Sequence, residues 1–519
     1  MRGSITEKHS IMSLKLKIMP RFTSRRLKMA ATSDSLKPLM EKNTQDSQEE
    51  QRVQMDLNTV LQDLPVILDV PRSGSSEAGT IKEQCNSHMM MFWTKIITQP
   101  PQNLEENLQE HLRKVEEDVV LHLKRLRLAL EPHGLMGYLE DCCHRRMIHY
   151  LQSLLQRVSS SRSCFKLLYW ARHTYLRIEE FSNHDDQKID GWDEWETKAK
   201  DKLFPYVQKE LQGHLDKILE DHKVQETCDN EESYVKLYVD VVQCTDAMFD
   251  NAKLIDQELS DRVLQVCSQE LLAFAKRYIA WQREFLKKQP ETVHFLKTLR
   301  TCRGIRTYVQ DQHMKEETAE LLTEMETFTR GLLTEVVTDD VEKSLHRYFK
   351  SDSRCTFQFA SVENHFPQLD FAADEHKAVM GDIYKGVAHV YFKHLIGTSM
   401  RKLRKKWSED IGTTVHEDAV ELHSIISGRA KDVQQYNKLL LSIEEVLTCS
   451  DMEGMKLTMA AIQKECHGQS EDLQLLPDLL LWRGYPRRDV VTVMEALPFA
   501  PPVPRSRFWL LQSCWGFCC

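Results

Sequence analysis

A chain of 519 residues is too long for one hydrophobic core, so two to four packed units are expected. Its net charge of −9 argues against nucleic acid as the main partner, and 14 scattered cysteines without a C-x-x-C pair point to reduced, cytosolic thiols rather than a disulfide framework or a zinc site. With 18 Gly, 16 Pro and no Asn-Gly or Asp-Gly hairpin between alternating runs, strands are not expected, and the fold class is all-α.

Residues 1–60 are polar, with eight Lys or Arg against one acid in residues 1–33, and are expected to be mobile. Residues 71–80 (PRSGSSEAGT) have the composition of a linker. The greasy patch MMMFWTKII at 89–97, closed by Pro100 and Pro101, is too short to span a bilayer and is expected to dock on the first helices.

From Leu104 the pattern becomes helical. Leu104, Leu108, Leu112, Val115, Val119, Leu123, Leu126 and Leu130 follow in steps of three and four, which keeps them on one face of an α-helix. The same periodicity predicts helices over 103–130, 135–158, 163–181, 192–222, 231–256, 257–288, 291–311, 313–349, 374–408, 415–448, 452–466, 471–482 and 487–497. Five prolines between residues 110 and 480 (Pro132, Pro205, Pro290, Pro367, Pro477) are expected to be joints, because proline inside a helix costs ~3 kcal/mol or more; the 192–222 helix is therefore expected to break near Pro205. Ser450 or Asp451 is placed to cap the helix at 452, and Arg483-Gly484 to end the 471–482 helix.

Antiparallel neighbours joined by short loops make bundles, and bundles stacked end to end make an elongated rod. The expected organisation is a mobile basic region and linker at 1–100, N-terminal helical bundles at 101–290, a middle bundle at 291–370, a C-terminal bundle at 371–498 and an irregular proline-, aromatic- and cysteine-rich tail at 499–519.

Motifs for chemistry are missing. There is no Gly-rich phosphate loop, G-x-S-x-G elbow or H-E-x-x-H pair. His416 and His423 stand seven apart, whereas a zinc pair wants i, i+4, and one Glu-x-x-His (Glu291, His294) does not make a di-iron site. Catalysis, metal and cofactor are not expected. Nor is there an apolar run of ~18 residues for a membrane span, or an uninterrupted apolar stretch for a secretory signal.

Two basic clusters stand out. In the first, Lys15, Lys17, Arg21, Arg25, Arg26 and Lys28 alternate with Leu14, Leu16, Ile18, Met19, Phe22 and Leu27, a composition suited to an anionic phospholipid surface, a solvated tail or a transit peptide. In the second, at a helix end, Arg401, Arg404 and Lys405 share a helix face, with Lys402 and Lys406 beside them. That is either a solvated, dipole-complementing end or a docking surface for an acidic partner or phosphoinositide. The terminal Cys518-Cys519 pair resembles a double-cysteine prenylation ending, without a small-GTPase signature beside it.

Three stretches together resemble the exocyst complex component 3 family. They are LLAFAKRYIAWQREFL (Leu271–Leu286) running into FLKTLRTCRGIRTYVQ (Phe295–Gln310), VAHVYFKHLIGTSMRKLRKKW (Val387–Trp407), and SEDLQLLPDLLLWRGYPRRDVVTVMEAL (Ser470–Leu497). The resemblance covers roughly 100–498. The chain lacks the long N-terminal heptad hairpin that assembles the complex, which points to the shorter branch of tumour-necrosis-factor-alpha-induced protein 2 and exocyst component 3-like protein 4. The resemblance implies a helical vesicle-tethering protein, cytoplasmic and peripheral at the plasma membrane, with exocyst subunits, SNARE proteins and Ral-type GTPases as partners.

Overall fold

A computed structural model of the chain describes residues 87, 89–97, 99–131, 136–179, 181, 189–224, 230–350, 359–366, 369–407, 410–431, 433–466 and 470–498. Among the described residues every regular element is helical. The chain divides into two compact units, one made of residues 1–158 and 170–196, the other of 159–169 and 197–519.

In the first unit a helix over 89–96 precedes α1 (Leu104–Leu130) and α2 (Met136–Arg157). The apolar stripe of α1 is the inward one, with Leu108, Val115, Val119, Leu123 and Leu126 fully buried. The greasy patch lies against it, Trp93 fully buried and the Phe92 ring 5.9 Å from that of His122. α2 turns Leu139, Cys142, Cys143, Met147 and Leu151 inward. α3 (Ser161–His173) is shorter than the predicted 163–181 helix, giving way to a 3-10 turn at Tyr175–Arg177. That turn drives Tyr175 into the core, where its hydroxyl meets His144 Nδ1 at 2.8 Å.

α4 (Trp192–Val224) contradicts the joint expected at Pro205, because the helix runs unbroken through it. Pro205 and Asp201, whose carbonyl loses its partner, both lie on the exposed face, while Leu203, Val207, Leu211 and Leu215 are fully buried on the opposite one. A single apolar seam outweighs one missing hydrogen bond.

The second unit continues with α5 (Glu231–Lys253), α6 (Gln257–Lys288), α7 (Thr292–Asp311) and α8 (Glu316–Lys350). Asn230 and Ser233 form a capping box on α5, and Asp256 caps α6 by accepting from Leu259 N at 2.6 Å. α8 is the axis of this unit. Its buried residues Met325, Thr329, Leu333, Val337, Val341 and Leu345 step by four. Each such step overshoots the 3.6-residue turn by about 40°, so the inward stripe winds roughly 200° around the helix. One helix therefore packs on two sets of neighbours. Its first half pairs with α6 and α7 through Lys276–Glu317 (2.8 Å) and Arg306–Glu326 (2.8 Å), and its second half with α9 (Ala360–His365) and α10 (Ala373–Gly397). The approach to α10 is close: a Cβ on Gly386 would lie 2.7 Å from Thr338 Cγ2.

Three more predicted helices prove to be composite. The 374–408 stretch divides at Thr398 into α10 and α11 (Met400–Trp407). The 415–448 stretch becomes α12 (Ile411–Arg429), α13 (Lys438–Leu441) and α14 (Ile443–Thr448), because the chain turns back after Ala430 to lay α14 on α12. Asn437 secures that turn by donating to Ala419 O at 2.6 Å. After α15 (Met452–Glu465), capped by Asp451, the 471–482 stretch forms α16 (Ser470–Leu473) and α17 (Leu476–Arg483), with Pro477 in the first turn of α17. Gly484 ends α17 in the left-handed region (φ 111°), where Tyr485 N reaches back to Leu480 O at 3.0 Å, and α18 (Arg487–Glu495) follows.

Candidate partner-binding site

The C-terminal end of α8 leaves its last four carbonyls without intrahelical partners and gathers about half a negative charge. α11 lies on that end. Residues three and four apart divide its two faces: Leu403, Lys406 and Trp407 are buried, whereas Arg401, Arg404 and Lys405 are exposed and Lys402 is half-buried. Trp407 packs its ring 5.5 Å from Tyr348 and 5.6 Å from Phe349.

The structure thus splits the predicted cluster of five cations. Lys406 donates its ammonium to the Tyr348 carbonyl and lies 4.6 Å above the Tyr348 ring. Lys402 donates to the Lys350 carbonyl at 3.5 Å. Both cap α8 and fasten α11 to it. Arg401, Arg404 and Lys405 point to solvent, and among the described residues none of them has an ion-pair partner. Other cations of this unit are paired, as in Lys200–Asp256 at 3.1 Å.

Beneath α11, Tyr348 also serves a buried acid. Asp418 on α12 accepts from Tyr348 Oη at 3.1 Å and from Tyr391 Oη at 2.5 Å, both at Oδ2. Burial pushes its carboxyl up to about 6, against the two tyrosine bonds, which pull it down. Spacing along the sequence marks the basic residues of α11, but nothing in it marks Tyr348, Tyr391 or Asp418, which meet only through packing of three helices.

Other buried ionisable groups hold the fold together. Glu375 accepts from Tyr234 Oη at 3.1 Å and lies 3.7 Å from both Arg300 and Arg303, burial raising its carboxyl. His389 meets Asp472 at 2.6 Å, and His423 meets Tyr384 at 3.0 Å. Burial pushes the thiols of Cys267 and Cys466 up to about 12 and 11, so neither supplies a thiolate near neutral pH. Among the described residues no group of three or more His, Cys, Asp or Glu is placed to hold a metal ion, and no helix is long and apolar enough to cross a membrane. Lys15, Lys17, Arg21, Arg25, Arg26 and Lys28, expected to meet membrane, lie outside the described residues, as does the tail at 499–519.

No family model and no curated protein matches the chain by sequence. By structure it is similar to the crystal structure of M-Sec, with a TM-score of 0.64 and 14% identity over 88% of this chain and 85% of that one. At that identity the likeness is one of fold, and this all-α architecture is shared with M-Sec over most of both chains.

Proposed function

We propose that the chain is a non-enzymatic tethering scaffold of the exocyst complex component 3 family, short branch, acting in exocytosis at the cytoplasmic face of the plasma membrane. The observation that carries this reading is the fold shared with M-Sec, a Sec6-like protein of that family, over 88% of this chain, taken together with the three sequence resemblances. The exposed face of Arg401, Arg404 and Lys405 is the surface that receives an acidic partner: an exocyst subunit, a SNARE or a Ral-type GTPase. Lys402 and Lys406 act behind it by holding α11 in place.

Affinity purification with the full chain tests this. The wild type is expected to capture exocyst subunits or SNAREs, and a triple reversal of Arg401, Arg404 and Lys405 to Glu to lose that capture while keeping its circular dichroism. Absence of both partner classes from the wild-type eluate overturns the tethering reading; capture undiminished by the triple reversal overturns the site. A second reading is supported by the basic, apolar-interleaved segment at 2–28: a membrane-remodelling protein that binds anionic plasma membrane and a Ral-type GTPase in protrusion or nanotube formation, independently of exocyst. Flotation with phosphatidylserine vesicles, retained by the full chain and lost on deleting residues 2–28, supports it, and equal flotation of both refutes it.

A further inference from the structure

Near the end of α8 stands a second group of cations, drawn from α8 and α10. Arg347 and Lys350 stand exposed in the last turn of α8 and Lys393 stands exposed on α10; among the described residues none of the three side chains has an acidic partner. Lys350 and Lys393 bring their charges to bear on His394. Its ring stacks on Phe349 at 6.0 Å and lies 6.4 Å from the exposed His346, and Lys402 reaches the same end of α8 through the Lys350 carbonyl. One carboxylate is near, Glu342, with Oε1 3.8 Å from His394 Nε2. The C-terminal ends of α8 and α10 bring only about half a negative charge each, and Lys402 and Lys406 already answer the first. Arg347, Lys350 and Lys393 are left in surplus.

The His394 imidazole registers that surplus. It is held down to about 4, first by burial and then by the charges of His346, Lys350 and Lys393.

We propose that His346, Lys350, Lys393, His394 and Lys402 form a binding site for a small, densely charged phosphate ester with two or more phosphate groups, either free or as a lipid headgroup. Cations of α8 and α10 act on one imidazole, and Lys402 of α11 reaches the Lys350 carbonyl at 3.5 Å on the same helix end. An acidic helical peptide would spread its carboxylates along a line, whereas each phosphate monoester concentrates about −1.5 to −2 charges on three acceptor oxygens. Lysines suit it as point charges, and His394 supplies a neutral N–H donor at the centre. The site does not depend on the tethering reading.

Calorimetry of the full chain with soluble inositol hexakisphosphate, followed by hydrogen exchange of the complex, tests the proposal. Binding is expected to protect amides in 342–350 and 393–402. The K350Q/K393Q variant should weaken it by about tenfold. Glu342→Gln should tighten it by about threefold, because a repelling carboxylate is removed. Lys343→Gln, an exposed lysine paired with Asp340, should leave it unchanged. Flotation with phosphatidylinositol bisphosphate vesicles against phosphatidylserine vesicles of equal charge identifies the source: preference for the bisphosphate supports a lipid headgroup, and soluble binding without vesicle preference supports a free ligand. Failure of soluble inositol hexakisphosphate to bind, protection confined to other segments, or equal losses in K350Q/K393Q and Lys343→Gln overturns the site.

Discussion

Helix α4 and the stretch from Ala373 to Trp407 defy their local sequence in opposite directions. α4 contains Pro205 and stays one helix; 373–407 contains no proline and breaks at Thr398. The difference lies in where the freed backbone groups go and what each side of the joint buries. In α4 the orphaned carbonyl is on the exposed face, and a straight helix keeps one seam of leucines and valines buried. At Thr398 the backbone turns extended, the Thr398 hydroxyl donates to His394 O at 2.8 Å, and the Thr398 carbonyl accepts from Trp482 Nε1 at 2.7 Å. The redirected α11 then buries Leu403 and Trp407 over the end of α8. A helix breaks when tertiary structure rewards the turn.

That account is most exposed at Trp407. If burial of α11 drives the break, Trp407→Ala should cost about 3–5 kcal/mol in urea unfolding, as large aromatic truncations in a core do. Amides of 400–407 should lose their exchange protection first. Full protection in the variant would mean that the α8 carbonyls alone hold α11, and the comparison with α4 would fail.

Asp418, beneath the same junction, gives a pH test. Its carboxyl titrates near 6 in the fold against an ordinary 3.8, so between those values the unfolded chain ionises first. Stability from this group is therefore fully present below about pH 4 and falls as pH rises through 6, by on the order of 3 kcal/mol at most. Asp418→Asn, whose amide oxygen can accept both tyrosine bonds, should lose that slope, and the gap in unfolding free energy between variant and wild type should widen from pH 4.5 to 7. Buried histidines act the other way: His144 and His394 are held near 4, so their contribution falls as pH falls from 6.5. They are common to both chains and cancel in the difference. Parallel profiles would show that Asp418 is not desolvated at this junction.

Pro205 offers the complementary change. Alanine there restores the N–H to the Asp201 carbonyl, and the fold should gain about 1–2 kcal/mol, less than the ~3 kcal/mol separating the two residues in a regular helix interior because α4 has already adjusted around the ring. A loss on Pro205→Ala, measured by the urea midpoint, would mean that the ring itself packs or shapes α4.

The two stretches also show what a sequence makes legible. Apolar steps of three and four locate helices well because every side chain in the pattern is local, as Leu104 to Leu126 in α1 show. Caps are equally local: Asp451 and Gly484 act where their residue types place them. The turns at Thr398 and Ala430 carry no proline, only Gly397 and Gly428 nearby, and the bonds that fix them come from other segments, Trp482 for the first and Asn437 for the second. For the same reason the RKLRKKW run reveals a charged helix but not its orientation. Helical spacing puts Lys402 and Lys406 four apart; only the end of α8, some fifty residues earlier, turns them inward and leaves Arg401, Arg404 and Lys405 outside.

The smallest effect isolates the break itself. Trp482→Phe keeps an aromatic ring on α17 and deletes one donor, leaving the Thr398 carbonyl without its partner. A half-buried carbonyl deprived of a neutral hydrogen bond costs about 1 kcal/mol, because water can replace part of what is lost. The loss should be local: faster exchange at 397–403, with 192–224 unaffected. If α10 and α11 were joined by an intrinsically flexible segment, exchange at 397–403 would already be fast in the wild type and Trp482→Phe would change nothing. A slow wild-type rate that rises severalfold in the variant places the stability of the joint in a bond donated from another helix, the opposite of Pro205, whose helix persists although a bond is missing.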